Sequence, residues 1–256
     1  MTAPPILSDK NDWFANWFDT PYYHLLYKNR SVEEAEDFII KLTDFLQLPK
    51  GGKILDNACG KGRHAIHLNK LGYDVTGLDL SEQSIIEAKK SENESLHFDV
   101  HDMRNVYKEN EFDAVFNLFT SFGYFADEAD DLNILYAVKK QLKNEGVFVL
   151  DFFNTQPIIQ KFDNGYIYND SQTIDGIEFN IHKKSEGNII IKNIDITDGH
   201  KKLHFTEQVR LYTLQNFLDM FAKAGFIVKQ VFGNYMLEAY NVDESDRMIF
   251  VVEKGG

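Results

Sequence analysis

Three acids and two glycines in the first half of the chain have the types and spacing to hold a charged, adenosine-sized ligand. Asp56, Gly60 and Gly62 fall within "ILDNACGKGR", Asp79 within "VTGLDLS" and Asp102 within "HFDVHDMR". Glycine carries no Cβ, so a turn built on Gly60 and Gly62 lets the backbone approach a ligand closely. Asp79 follows at the end of the next apolar run, where a carboxylate can accept both hydroxyls of a ribose. Gly60-x-Gly62-x-x-Ala65 also fits the dinucleotide fingerprint, so these residues alone leave a nicotinamide cofactor in play. Asp56 argues the other way. It precedes the first glycine by four residues, where a carboxylate repels a pyrophosphate and attracts a cationic amino group. Asp102, with Asp99 as the alternative, offers an acceptor to an adenine amine, and Met103 offers an apolar surface to the ring.

The elements that must position these groups are legible from periodicity. "KILDN", "YDVTGLD", "LHFD", "FDAVFNL" and "GVFVLDFF" read as strands one to five, separated by helical stretches at 62–71, from Ser81 to Lys90, and at 129–143. Continuous apolar strands alternating with helices predict a parallel sheet covered on both faces. From about Tyr166 to Tyr212 the period changes to two, with Ile177, Phe179, Ile181, Ile189, Ile191, Leu203, Phe205, Val209 and Leu211 on the apolar side. Asp175-Gly176, Gly187-Asn188 and Asp198-Gly199 punctuate it as hairpin turns. "LQNFLDMFAKAG" reads as a last helix, and the short-linked strands "FIVKQVFGNY" and "DRMIFVVEK" as a closing antiparallel pair. Near the N-terminus, Ser31 and Glu34 read as a capping box opening a helix with Phe38, Ile39, Leu42 and Leu46 inward. The expected fold is therefore α/β: a doubly wound, mostly parallel seven-stranded sheet of Rossmann-like type, its last strand antiparallel. An antiparallel β meander is inserted into it. The expected domains are an N-terminal helical cap over 1–48, a ligand-binding domain over 49–156 and 212–256, and a β lid over 157–211.

Composition narrows the partners. With 43% hydrophobic residues the chain can fill a packed core, and a formal net charge of −13 disfavours nucleic acid and membrane surfaces. A single cysteine, Cys59, excludes an internal disulfide and suits a cytoplasmic setting. No apolar run reaches bilayer length. His64 and His67 have a metal-compatible spacing, but no third ligand accompanies them, so no metal is expected.

"ILDNACGKGRHAIHLNKLGYDVTGLDLS" closely resembles the first motif and acidic loop of class I S-adenosylmethionine-dependent methyltransferases, above all the small-molecule type. "YYHLLY", "FDAVFNLFTSFGYF" and "RLYTLQNFLDMFAKAGF" extend the resemblance over most of the chain outside the meander. It implies that Asp56, Gly60 and Gly62 hold the methionine end of S-adenosylmethionine, with Ala58 contributing backbone. It implies Asp79 on the ribose, Leu80 beside the adenine, Asp102 and Met103 recognising it, and Asn117 and Leu118 lining the sulfonium. Tyr22, Tyr23 or Tyr27, with Tyr23 preferred, would close over the methionine, and Arg30 or Arg63 would meet its carboxylate.

Methyl transfer needs a nucleophile held at attack distance and water kept out, so the lack of an evident catalytic triad is consistent with this resemblance. The acceptor pocket is expected above strands four and five, from Phe119, Ser121, Tyr124, Phe153 and Asn154, with His182, Arg210 and Tyr240 further out. Strand four continues as "NLFT", without the Asn-Pro-Pro-aromatic box of nucleic-acid amino methylases, which with the net charge of −13 points to N- or O-methylation of a small molecule; a monomer or homodimer is expected. A non-catalytic binding protein and a nicotinamide oxidoreductase are the alternatives.

Overall fold

The computed structural model describes residues 13–28, 32–163 and 166–255; Arg30 and the predicted cap Ser31 lie outside them. Helices α1 (Trp13–Phe18), α2 (Pro21–Leu26) and α3 (Val32–Leu46) precede the alternation β1 (Lys53–Asn57), α4 (Arg63–Lys70), β2 (Asp74–Asp79), α5 (Glu82–Ala88), β3 (Leu96–Val100), β4 (Phe112–Asn117), α6 (Glu128–Gln141) and β5 (Leu142–Phe153). Helix α7 (Gln156–Asp163) leads into β6 (Tyr168–Ile174), β7 (Ile177–Glu186), β8 (Ile189–Asp198) and β9 (Lys201–Arg210). Helix α8 (Leu214–Ala224), β10 (Phe226–Phe232) and β11 (Arg247–Lys254) follow. The described residues group into two compact units. One falls within Ser31–Phe122, Asp127–Asn154 and Thr213–Gly256, the other within Met1–Arg30, Gly123–Ala126 and Thr155–Tyr212. The stretch 1–48, grouped as one cap from the sequence, is thus divided: α1 and α2 belong with the meander strands, and α3 with the α/β sheet. Among the described residues no helix is long and apolar enough to cross a membrane.

The α/β unit holds a seven-stranded sheet in the order β10-β11-β5-β4-β1-β2-β3. Strands β3, β2, β1, β4 and β5 are mutually parallel, and β11 runs antiparallel to both β5 and β10. Strands β4 and β11, and β5 from Gly146 to Phe152, are buried almost throughout, as strands covered on both faces must be. Helix α3 contributes Phe38, Ile39 and Leu42 and α4 contributes Ala65 and Leu68 to one core with β1, β3 and β4. Local chemistry ends the helices where the sequence predicts. Ser81 caps α5 by accepting from the Ser84 N–H, and Thr213 and Asn216 form a reciprocal capping box on α8. Gly225 closes α8 in the left-handed conformation, φ 76°.

The second unit is a four-stranded antiparallel sheet, β6-β7-β8-β9. Asp175-Gly176, both at positive φ, join β6 to β7, and Gly187-Asn188 join β7 to β8. That second turn sets the register Phe179↔Ile196 and Ile181↔Ile194. Ile194 and Ile196 face the core with Trp17 and Leu26, a pair the expected alternation did not include, while the expected Ile191 is buried on the other face of β8. Helix α7 was not expected at all; Pro157 in its first turn is the signal that was available.

Two glycines are demanded by packing. A Cβ on Gly77 would come within 2.5 Å of the Phe98 ring and 2.9 Å of the Cys59 Sγ, and one on Gly62 within 2.6 Å of the same ring. Phe98 is fully buried, so its ring has no room to give. Gly77→Ala is predicted to destabilise the protein by about 1–3 kcal/mol, and the double change Gly77→Ala with Phe98→Leu to recover part of that loss, both read from thermal melts.

Candidate active site

Strand order reverses between β1 and β4, because β1 leads outward through β2 to β3 while β4 leads the other way to β5. Ligands in such sheets bind beyond the carboxyl ends of the strands at that reversal. The predicted groups converge there. Asp56 in β1 stands level with Phe116 of β4, each one residue before the end of its strand at Asn57 and Asn117.

Asp56 is only 1% exposed. Its carboxylate accepts the Ala65 N–H from the first turn of α4, while Oδ2 has no partner among the described residues. Burial pushes its pKa up to about 7, against the lowering effect of that hydrogen bond; nearby Asp79 raises it further and Arg63 lowers it. Asn117 donates from Nδ2 to the Asn57 carbonyl at 3.3 Å and toward the Met103 sulfur at 3.7 Å. Its Oδ1 and the Asn57 Nδ2 are likewise buried and unpartnered among the described residues. Buried polar atoms are normally satisfied, so three unsatisfied ones at neighbouring strand ends mark a place built for a polar ligand.

The turn after β1 is shaped to leave room. Ala58, Gly60 and Gly62 all have positive φ, at 61°, 57° and 80°. A Cβ on Gly60 would meet nothing within 4 Å, whereas Gly62 faces the Phe98 ring. Asp79 fastens this turn: Oδ2 accepts the Gly60 N–H at 2.7 Å and Oδ1 the Ser81 N–H at 2.8 Å. Leu80, between those anchors, is half-buried. Asp102 is gripped by Arg104, whose Nη2 lies 2.6 Å from Oδ2 and whose Nη1 reaches Asp130 at 3.0 Å. Burial alone would raise the Asp102 pKa, but the Arg104 hydrogen bonds and charge outweigh it and hold the carboxyl below the usual range. The sequence reading did not include Arg104.

Nor did it include Asp151, Arg247 or Tyr235, which build the rim beyond β4. Phe119 and Thr120 both adopt left-handed backbone, φ 60° and 64°, a costly conformation for bulky or β-branched residues. The fully buried Asp151 carboxylate holds them. It accepts the Phe119 N–H at 2.8 Å, the Tyr235 hydroxyl at 3.1 Å and Arg247 Nε at 2.8 Å. Its backbone carbonyl accepts the Thr120 N–H at 3.0 Å, and Arg247 Nη2 donates to the Thr120 hydroxyl at 2.9 Å. An acid inside the apolar run "VFVLDFF" was the available signal, since a buried carboxylate requires donors.

The remaining predicted residues fall as follows. The Phe119 ring stacks on His64 and Tyr235, with the Arg63 guanidinium 4.6 Å from its centroid. His67 lies 3.1 Å from Glu36. Leu118 is buried, and Ser121 donates to its carbonyl. Phe153 stacks on Phe152. Asn154 ties the end of β5 to the carbonyls of Val242 and Ser245 and accepts the Tyr240 hydroxyl. Tyr23, Tyr124, His182 and Arg210 belong to the meander unit. There Tyr23 packs against Trp17, Phe18 and Tyr27, Tyr124 meets Phe18, His182 contacts Asn169, and Arg210 donates to the Ala126 carbonyl. Tyr22 donates to Asp198 and Tyr27 to Glu207.

Because the folded state raises the Asp56 pKa above its unfolded value, the folded protein binds a proton more tightly, and stability falls as pH rises toward 7. Asp56→Asn, which keeps an acceptor for Ala65 but no charge, is therefore predicted to melt higher than the ligand-free wild type. The gain should grow from about pH 4, near the unfolded value, to about pH 7, level off above, and amount to roughly 2–4 °C for each kcal/mol relieved.

A methyltransferase-domain family model matches residues 54–146, the span from β1 into β5. The putative methyltransferase YqeM of Bacillus subtilis is 27% identical over 81% of this chain and 86% of its own length. The dTDP-3-amino-3,4,6-trideoxy-alpha-D-glucopyranose N,N-dimethyltransferase of Streptomyces venezuelae is 28% identical over 75% of this chain and 81% of its own. Among solved structures, an S-adenosylmethionine-dependent methyltransferase from Clostridium acetobutylicum superposes with TM-score 0.78 at 21% identity, covering 94% of this chain and 99% of that one. The buried unsatisfied acceptors, the open glycine turn and the acid ending β2 fit S-adenosylmethionine, and with the methyltransferase-domain match and these relatives they support a class I S-adenosylmethionine-dependent methyltransferase.

Proposed function

We propose that the protein methylates a nitrogen atom of a small-molecule acceptor. The observation that carries the cofactor half of this reading is the buried Asp56 carboxylate with its unpartnered Oδ2 beside the open glycine turn. S-adenosylmethionine supplies a methyl group already activated by its sulfonium. What is left to the chain is binding, orientation and the exclusion of water. In this reading Asp56 takes the ammonium of the methionine moiety, and Ala58, Gly60 and Gly62 give it backbone contact. Arg63 meets the carboxylate, and Asp79, at the end of β2, takes the ribose hydroxyls. Leu80, Met103 and the Arg104-held Asp102 frame the adenine, and Asn117 and Leu118 border the sulfur.

For the acceptor, support comes from the relatives. The Streptomyces venezuelae enzyme is named for an amino sugar, and glycine/sarcosine N-methyltransferase of Aphanothece halophytica, 33% identical over 52% of this chain, for amino acids. A neutral amine brings its own lone pair, so a base is required only where the amine is protonated. The net charge of −13 speaks against a nucleic-acid acceptor.

Labelled methyl transfer from S-adenosylmethionine to a panel of amino sugars, amino acids, phenols and RNA tests this reading. Transfer to an amine is expected; transfer confined to hydroxyls or to RNA would overturn it. In parallel, Asp79→Asn is expected to weaken S-adenosylhomocysteine binding roughly 10–100-fold by calorimetry, the effect of losing charge-assisted hydrogen bonds.

A further inference from the structure

One row of the meander sheet carries charge that the reading above does not use. Strand register aligns Tyr168, Lys183, Lys192 and Glu207 across β6, β7, β8 and β9. They share the face of Phe179, Ile181, Ile194 and Ile196, which is otherwise the apolar core of this unit. Like charges directly opposite one another on a sheet face repel, and here two lysines are cross-strand partners.

Only one of them is neutralised. Lys192 Nζ lies 3.2 Å from Glu207, its side chain just 13% exposed, above the Tyr27 ring and bonded to the Tyr27 hydroxyl. Glu207 is in turn heavily used, accepting from Trp17 Nε1 at 2.7 Å and from the Tyr27 hydroxyl at 2.7 and 2.9 Å. Lys183 forms no ion pair with a described residue; its Nζ rests 4.3 Å from the centroid of the Tyr168 ring. Glu207 and Asp170 are the carboxylates whose fields reach it. Burial first, and the Lys192 charge second, hold the Lys183 ammonium below the ordinary lysine range. The face thus keeps two lysines in largely apolar surroundings, with the committed carboxylate of Glu207 and the exposed Asp170 of β6 as the acids near them. Replacing Lys183 by an apolar residue would relieve that cost, so stability does not explain its presence, whereas Lys192 is accounted for by the Glu207 carboxylate it neutralises.

We propose that Lys183 and Lys192, with Tyr168 beside them, form a binding site for the oxyanion group, carboxylate or phosphate, of a small molecule. Lys183 supplies the available charge, and Lys192, fixed by Glu207 and Tyr27, supplies direction. The two Nζ atoms give an oxyanion donors from adjacent strands, and the apolar face around them strengthens the attraction by excluding water. The inference stands on the meander unit alone and does not depend on which atom is methylated.

The test uses the full chain without cofactor. Lysine ammonium groups carrying reductively attached ¹³C-methyl labels are followed by NMR while inorganic phosphate, and separately acetate, is added at constant ionic strength. Lys183→Met assigns the Lys183 signal. The expected result is a saturable shift of that signal and a rise in its pKa, with Lys184, one residue on and paired with Glu186, unmoved. The tighter of the two anions identifies the group. Lys183→Met should weaken that anion at least tenfold while melting no lower than wild type in its absence. A Lys183 signal that responds to neither anion, or no more than Lys184, would overturn the proposal; Lys183→Arg, which keeps the charge, assigns the same signal should Lys183→Met fail to fold.

Discussion

A carboxylate buried where the strand order reverses is the constraint on which the α/β unit depends. Asp56 is sealed between two parallel strands and the first turn of α4, and its one internal donor, the Ala65 N–H, leaves an oxygen unsatisfied. Charge in such a place is costly, and the pKa of about 7 records that cost. A cationic ligand would offset that cost, which is the role proposed for Asp56. The rest of the site follows from it: glycine and left-handed backbone after β1 to make room, and an acid at the end of β2 to hold that backbone still.

Two acids do this holding in the same manner. Asp79 accepts two backbone N–H groups and fixes the glycine turn, while Asp151 accepts backbone, phenol and guanidinium and fixes the strained Phe119–Thr120 turn. The two turns follow adjacent strands, so the rims on either side of the switch point are both clamped by carboxylates. Burial first and then the Asp151 charge push the Tyr235 phenol well above its ordinary range, which keeps it a hydrogen-bond donor to the clamp. Preorganisation of this kind lets binding orient a methyl donor without first ordering the loops around it.

Much of this was legible in the sequence because it is local. Alternating apolar runs and helices fix a parallel sheet, Ser81 and Thr213 announce helix starts, and Asp175-Gly176 announces a hairpin. Asp56, Asp79 and the glycines are spaced by one strand-turn-helix unit, so their convergence needs no long-range information. What escaped was non-local. Arg247 reaches Asp151 across 96 residues of sequence, and no periodicity links the two. The aromatic N-terminal segment was visible as a cluster, but its partners Asp198 and Glu207 lie in a sheet whose inward face is set by turn register. Ile194 and Ile196 were missed for that reason, since a one-residue change of phase exchanges the two faces of a strand.

The central claim, that Asp56 carries the charge recognised by the cofactor, is tested most directly by calorimetric titration with S-adenosylhomocysteine between pH 5.5 and 8.5, in two buffers of different ionisation enthalpy. Asp56 is protonated below about pH 7 in the free protein, and the ligand ammonium favours its ionised form. The account predicts net proton release on binding below pH 7 and an affinity falling by up to roughly tenfold per pH unit there, with both effects absent in Asp56→Asn. Binding with no proton release and a flat pH profile in the wild type would contradict it.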